Sequence, residues 1–180
     1  MGFFRIILYV IIAIVVLLII YSIIHNKIKA QIIKINSAEN KIDESLRLKY
    51  DLLVKIVSEI KKVDKDNTSF ENLDEIKNDA LSSFEFERKI ADIESKMYTF
   101  KNENIKINKN NTFNDLWYEI INLNTKIIAE EKYYNENTTI YNNLVSKFPS
   151  KIVAKILRLK EKKYFDGKDM YDKNMKDFKI

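Results

Sequence analysis

The chain has 180 residues, of which 31 are Lys or Arg and 26 are Asp or Glu, for a formal net charge of +5. It contains no Cys, one His, one Pro and two Gly, which excludes disulfides, zinc–thiolate centres, a cysteine nucleophile and a glycine-rich phosphate loop. Since tight turns draw on Gly and Pro, this composition disfavours an all-β fold and favours long helices.

The first predicted element is a membrane-spanning helix. Ile6 to Ile24 is a run of 19 residues without a charge. A helix of this length is about 28 Å long, close to the thickness of the hydrocarbon core of a bilayer. The rival interpretation is a cleaved signal peptide, but no small-x-small cleavage site follows the run. We therefore expect residues 1–26 to be an uncleaved transmembrane anchor that contacts the lipid bilayer through residues 6–24.

Charges next to this run predict its orientation. Four Lys follow it, from Lys27 to Lys41, whereas Arg5 and the terminal amine precede it. Lys and Arg concentrate on the cytoplasmic side of membrane spans. We expect a single-pass membrane protein with its N-terminus outside and its helical domain in the cytoplasm.

Three long amphipathic helices are predicted after the anchor, over residues 27–63, 69–104 and 112–148. Their apolar residues recur at steps of three, four or seven, which is typical of one face of a helix and of coiled coils. The second stripe includes Ala91, and the third runs to Phe148, where the following Pro ends the helix. No Gly or Pro separates the anchor from the first of these helices, so the two should form one continuous helix.

These helices predict the architecture. Amphipathic helices of equal length with short connections can close a bundle in which neighbours run antiparallel. We expect an all-α fold: an elongated antiparallel bundle of three long helices plus a short fourth helix that starts near Ile152. The domains are then the anchor (1–26), the bundle (27–160) and a basic C-terminal tail (161–180) that is loosely held or extended.

Charge is segregated between the predicted helices. Residues 27–63 carry 9 basic and 5 acidic side chains, whereas residues 64–104 carry 6 basic and 11 acidic ones. Attraction between oppositely charged helices determines which helices pack side by side more than it stabilises the fold. We expect the basic first helix to lie beside the acidic second helix.

Three short motifs stand out against the helical pattern. They are residues 40–53, which contain Tyr50-Asp51, then Tyr134-Asn135 with Tyr141-Asn142, and finally Phe148-Pro149. Together they resemble the LemA family of bacterial single-pass membrane proteins. The resemblance implies an all-α bundle on a membrane anchor, with no established enzymatic activity, cofactor or ligand. We expect the eight motif residues to be structural.

Two interpretations of the tyrosine–asparagine pairs stay open. Tyr134 and Tyr141 lie seven residues apart, on one face of the helix. They form either an aromatic recognition stripe or part of the core, with each hydroxyl bonded to water or to a polar partner. Asn135 and Asn142 beside them could hydrogen-bond across helices and fix the register, as a buried Asn does in coiled coils.

Candidate chemistry is sparse. Asp51 could pair with Glu130 and Glu131 to hold a divalent cation, but the chain has no Glu-x-x-His motif of the kind that ferritin-like sites use. The Lys-rich stretch from Lys151 to Lys163 could attract anionic lipid, whereas its acidic neighbours and its having a single Arg argue against nucleic acid. We expect no catalytic, cofactor-binding or metal-binding residue.

The favoured function is therefore a membrane-anchored helical scaffold that works through protein contacts. Its protein partner is not predicted, and association with further copies of the chain stays open. Two alternatives remain: a carboxylate-dependent metal-binding or hydrolytic enzyme, and a lipid-interacting protein that remodels membranes.

Overall fold

A computed structural model describes residues 2–65, 67–70, 73, 76 and 81–165 of the chain. Every regular element in these residues is a helix, which confirms the predicted all-α class. The helices are α1 (Gly2–Val63), α2 (Ser83–Glu103), α3 (Ile105–Asn108), α4 (Asn111–Ser146) and α5 (Ser150–Ile156).

Helix α1 joins the predicted membrane span to the first bundle helix without interruption, as expected. It has 62 residues, and its residues 2–20 are all exposed. Within the described part of the chain, α1 alone is long and apolar enough to cross a membrane, judged by length and composition.

The chain divides into two compact units. Unit 1 takes its described residues from 2–37 and 134–164, and unit 2 takes them from 38–133 and 165. Helices α1 and α4 therefore each contribute to both units.

The core of unit 2 is apolar and comes from α1, α2 and α4. Ser45 and Glu59 of unit 2 bond to Glu130 and Asn110, so α1 and α4 run in opposite directions there. Residues with no exposed surface from these three helices include Ile42, Leu46, Leu53, Ile56, Ile60, Ile90, Met97, Phe113 and Ile120. The apolar stripes predicted for the first and third helices are thus buried here, and a helical bundle fits these contacts.

The prediction of one helix over residues 69–104 is wrong, because the backbone is not helical at Leu81 and Ser82. Ser82 is instead the N-cap of α2: its hydroxyl accepts from the amide of Glu85, whose carboxylate accepts from the Ser82 amide. Such a capping box satisfies amides that have no partner inside the helix. Of the predicted stripe, Ile90, Ile93 and Met97 are buried in α2, whereas Ala91 is exposed.

The polar stretch before α4 is held by asparagine caps. The Asn104 side chain accepts from two amides at the start of α3, and the Asn110 side chain accepts from the amide of Phe113 in α4. Asparagine is among the preferred N-cap residues because its short side chain reaches these free amides. The connection predicted between the second and third long helices, residues 105–111, therefore contains a short helix of its own.

Helix α4 ends at Ser146, two residues before the predicted end. Phe148 therefore no longer follows the helical phase of the apolar stripe, and it is 81% exposed instead of buried. The predicted short fourth helix is confirmed as α5, which buries Val153 and Ala154.

Candidate functional site

A cavity of about 330 Å³ lies in unit 2 beside α1. Asp43, Arg47 and Asp51 line it at steps of four residues, which places them on one face of the helix. The rest of its lining is Tyr50, Ile76, Leu81, Ser83 and Phe86. The volume is near the lower end of the range for small-ligand sites, about 300 to 1,000 Å³.

Tyr50 is an aromatic part of the cavity lining. It is buried, its hydroxyl donates to the carbonyl oxygen of Leu73 at 3.2 Å, and its ring centroid lies 6.1 Å from that of Phe86. The lining thus combines two carboxylates and one guanidinium with aromatic walls. Carboxylates and aromatic faces both attract cations, so the lining suits a cationic group on an apolar stem.

The predicted approach of Asp51 to the Glu130-Glu131 pair is not seen. Glu130 accepts from the Ser45 hydroxyl at 2.8 Å and has the Lys126 ammonium at 3.8 Å. Ser45 is six residues from Asp51 on α1, about 9 Å along the helix and on a different face. Across the described residues, no group of three or more His, Asp or Glu side chains is arranged to hold a metal ion.

A polar network joins three helices in unit 2. Glu94 of α2 forms an ion pair with Lys49 of α1 and accepts from the Asn124 amide of α4 at 2.6 Å. Lys49 is buried, so Glu94 supplies the countercharge that an ammonium away from water needs. The charge pattern predicted the pairing of these two helices, but not the residues that carry it.

The tyrosine–asparagine pairs of α4 hold the chain that follows α5. The Asn142 side chain donates to the Lys162 carbonyl at 2.9 Å and accepts from the Lys162 amide at 2.8 Å. Tyr141 and Tyr134 are buried and donate through their hydroxyls to the carbonyls of Lys160 and Lys163. We call these contacts the C-terminal clasp.

Residues 162–165 of the predicted tail are therefore bonded to α4 or buried, with Tyr164 and Phe165 both buried. Thr139 of α4 donates to the Tyr164 hydroxyl at 3.2 Å. Burial raises the pKa of Tyr141, so its hydroxyl keeps the proton that it donates to the clasp. Residues 166–180 of the predicted tail lie outside the described residues.

The register of α1 against α4 in unit 1 depends on an amide pair that the sequence did not single out. The Gln31 side chain donates to the Asn137 side chain at 2.7 Å and to its carbonyl oxygen at 3.2 Å. Both residues are buried. The spacing could have predicted that Gln31 is buried, since it lies three or four residues from the apolar residues of the first stripe.

The model of the LemA family matches residues 38–178. The chain belongs to the LemA family. No curated protein and no solved structure matches it.

The LemA motif residues lie in three different settings. Tyr50 and Asp51 line the cavity in unit 2. Tyr141 and Asn142 belong to the clasp, with Asn142 facing an extended segment rather than a second helix. Phe148-Pro149 forms the turn between α4 and α5. Sequence reasoning missed Asp43 and Arg47 as cavity residues, although their spacing from Asp51 in the same motif stretch was visible.

Proposed function

We propose that this LemA-family protein is a single-pass, membrane-anchored helical interaction protein, not an enzyme. The observation that carries the proposal is the uncharged run from Ile6 to Ile24, exposed at every residue up to Ile20, which belongs to the same helix that packs into the bundle. Exposing this much apolar surface to water has a large free-energy cost, which is removed when the helix lies inside a bilayer. The continuous helix then ties the bundle to the membrane surface.

Anchoring is tested on the full chain expressed in a bacterial host. It should float with membranes and resist extraction by alkaline carbonate. A variant with Ile11, Val15 and Ile19 changed to Asp should be released, because charges at the centre of a span are costly. Release of the unchanged protein by carbonate would contradict the proposal.

The cytoplasmic orientation is part of the proposal and has its own test. Protease added to spheroplasts should leave the bundle intact and should digest it after the membrane is opened. Changing Lys27, Lys29 and Lys34 to Gln, with Lys added before the span, should move a fraction of the molecules to the opposite orientation. Digestion of the unchanged bundle from outside would overturn the orientation.

The cavity beside Asp51 is the best candidate for contact with a protein partner. Its carboxylates and aromatic walls are suited to a Lys or Arg side chain of that partner. A photo-crosslinking residue at Phe86 should capture one protein species, and Asp51→Lys should abolish that product by charge repulsion. The matched control is Tyr98, an exposed aromatic residue on the same helix but outside the cavity. Equal products from both positions, or products that survive Asp51→Lys, would exclude this contact site.

A further inference from the structure

The end of α4 lies beside the predicted membrane span. The Gln31–Asn137 bond fixes the register of the two helices in unit 1. From Asn137 to Ser146, α4 continues for nine residues, about 14 Å. The same distance back along α1 from Gln31 reaches Ser22, which is inside the uncharged run that ends at Ile24. The turn after α4 is therefore at the level where the span leaves the bilayer.

Burial along α1 supports this register independently. Ile28 is buried, and Tyr21, Ile24 and His25 are half-buried, whereas residues 2–20 are all exposed. Protein therefore covers α1 down to Tyr21. If the run from Ile6 to Ile24 is in the membrane, the last part of α4 and the turn after it must reach the bilayer interface.

The segment at this level presents apolar side chains that nothing in the described chain covers. Phe148 is 81% exposed, Ile152 is 54% exposed and Ile156 is 64% exposed. They follow one another at steps of four residues, and α5 buries its Val153 and Ala154 instead. After α5 the chain returns along α4, since the Tyr141 hydroxyl bonds to the Lys160 carbonyl. The segment is therefore short, since α5 has seven residues, about 10 Å of helix.

Basic side chains surround this apolar surface. Lys147, Lys151, Lys155 and Arg158 are all exposed. The described residues of unit 1, within 2–37 and 134–164, include 11 Lys or Arg against 2 Glu. Apolar residues flanked by Lys and Arg are the pattern of segments that lie in the interface of an anionic membrane.

Arg158 occupies a position at which helices usually have Gly. Its φ is 55°, and the amides of Arg158 and Leu159 bond to the carbonyls of Lys155 and Ala154. This is the Schellman arrangement that ends a helix, and a side chain at its left-handed residue costs conformational energy. The chain thus keeps a cationic side chain at the end of α5 where Gly would fit more easily.

We propose that residues 147–158 form a second membrane-binding site, the interfacial segment, which binds anionic phospholipid headgroups through its Lys and Arg side chains. Phe148, Ile152 and Ile156 insert at the boundary between headgroups and acyl chains. The inference rests on the proposed membrane anchoring, because the span sets the depth of the segment. Its occupant is the bilayer surface beside the span, rather than a protein partner.

The absence of Cys from the chain allows a direct depth measurement. Ile152→Cys in the full-length protein carries an environment-sensitive fluorophore, and the protein is reconstituted into vesicles of phosphatidylcholine and phosphatidylglycerol in equal parts. Lipids brominated near the headgroup end of their acyl chains serve as quenchers. The matched control is Glu136→Cys, exposed on α4 in the same unit. The register places Glu136 beside Ile32, about 12 Å beyond the end of the run.

The fluorophore at position 152 should emit at shorter wavelength and should be quenched at least about twofold more than the one at position 136, as expected for a segment in the interface. Equal quenching at the two positions overturns the proposal. A blue-shifted but unquenched emission that grows with the ratio of protein to lipid would place a second copy of the chain on the surface, and also overturns it.

The charge part of the proposal has a separate readout. Vesicles of phosphatidylcholine alone should quench position 152 less, and Arg158→Gly should weaken the response to phosphatidylglycerol without destabilising the turn. Each basic group near an anionic surface favours contact about fivefold. Identical quenching in both vesicle types would overturn the anionic-lipid site. Failure of the protein to float with vesicles would instead reject the anchor itself, so the two failures are distinguishable.

Discussion

The two units are held together by different kinds of interaction. Of the buried residues in the described part of unit 2, 19 are apolar and 3 are polar or charged, whereas unit 1 buries 8 apolar and 5 polar residues. Unit 2 joins helices by interlocking apolar faces. Unit 1 joins α4 to an extended segment by hydrogen bonds from side chains to backbone. Unit 2 should therefore unfold when a charged residue is placed in its core. Unit 1 should lose its contacts with the segment after α5 when a single side-chain amide is removed.

Their charges differ as well. Residues 38–133 and 165 carry 16 basic and 20 acidic side chains, whereas the ranges of unit 1 carry 11 and 2. The basic unit is the one that contains the predicted membrane span. This difference supports the division of labour in the two proposals, with lipid contact in unit 1 and protein contact in unit 2.

The largest expected effect comes from a charge in the apolar core of unit 2. Ile120→Asp places an unpaired carboxylate at a position with no exposed surface, and should cost more than about 4 kcal/mol. Thermal unfolding of the full chain in detergent, followed by circular dichroism, measures the loss. Ile121→Asp, at a neighbour that is 48% exposed, is the matched control and should melt nearly as the unchanged protein does. Equal melting of both variants would mean that the buried face of α4 is wrongly assigned.

The next effect concerns the Lys49–Glu94 pair. Glu94→Ala leaves the buried Lys49 without its countercharge and Asn124 without its acceptor, and should cost about 3 kcal/mol. Denaturant unfolding of the full chain measures it. Asp92→Ala breaks the exposed pair with Lys96 on the same helix and should cost less than about 0.5 kcal/mol. A small change at both positions would show that the network of unit 2 adds little to its apolar core.

A smaller and more local effect is expected in the clasp of unit 1. Asn142→Ala removes both hydrogen bonds to Lys162 and should cost about 2 kcal/mol, because the peptide groups lose their partners. Hydrogen exchange at the Lys162 amide and proteolysis between Lys160 and Lys163 should both accelerate. Asn143→Ala is the control, since the buried side-chain oxygen of Asn143 has no hydrogen-bond partner among the described residues. Unchanged exchange in Asn142→Ala would show that apolar contacts alone hold the extended segment.

The smallest effect concerns the start of α2 and its dependence on pH. Hydrogen bonds from Ser82 hold the pKa of the Glu85 carboxyl below its ordinary value of 4.5. A lowered pKa in the folded state stabilises the fold above the unfolded pKa, and this advantage is lost as the pH falls through the folded pKa. Ser82→Ala should therefore lower the melting temperature by a few degrees at neutral pH and by less in acid. Ser95→Ala, exposed within the same helix, should show no such pH dependence.

Much of the fold could be predicted because helical periodicity is a local property. Ile42, Ile56 and Ile120 were placed in the core by spacing alone, and burial confirms them. Even the break at Ser82 had a visible signal, since Ser82 and Glu85 have the spacing of a capping box. The predicted stripe continued across it because apolar residues on both sides could be fitted to one phase.

The candidate sites were less accessible to prediction. Tyr50 and Asp51 were singled out by their resemblance to a family motif, but not as the lining of a cavity with Arg47. A cavity needs a second wall, and here Ile76, Leu81, Ser83 and Phe86 contribute to it. Phe148 was placed in the core because its spacing fits, and only the end of α4 at Ser146 exposes it.

What the sequence by itself determined is what repeats along the chain: the uncharged run, the long helices, their buried faces and the charge difference between the first two bundle helices. Each of these depends on the regular geometry of a helix, in which the position of a side chain follows from its number. The tertiary structure alone decided that Asn142 binds the backbone of Lys162 and that Gln31 of α1 binds Asn137 of α4. Those contacts join residues that are distant in sequence. The chain folds back through a non-helical segment, which has no periodic pattern from which such contacts could be predicted.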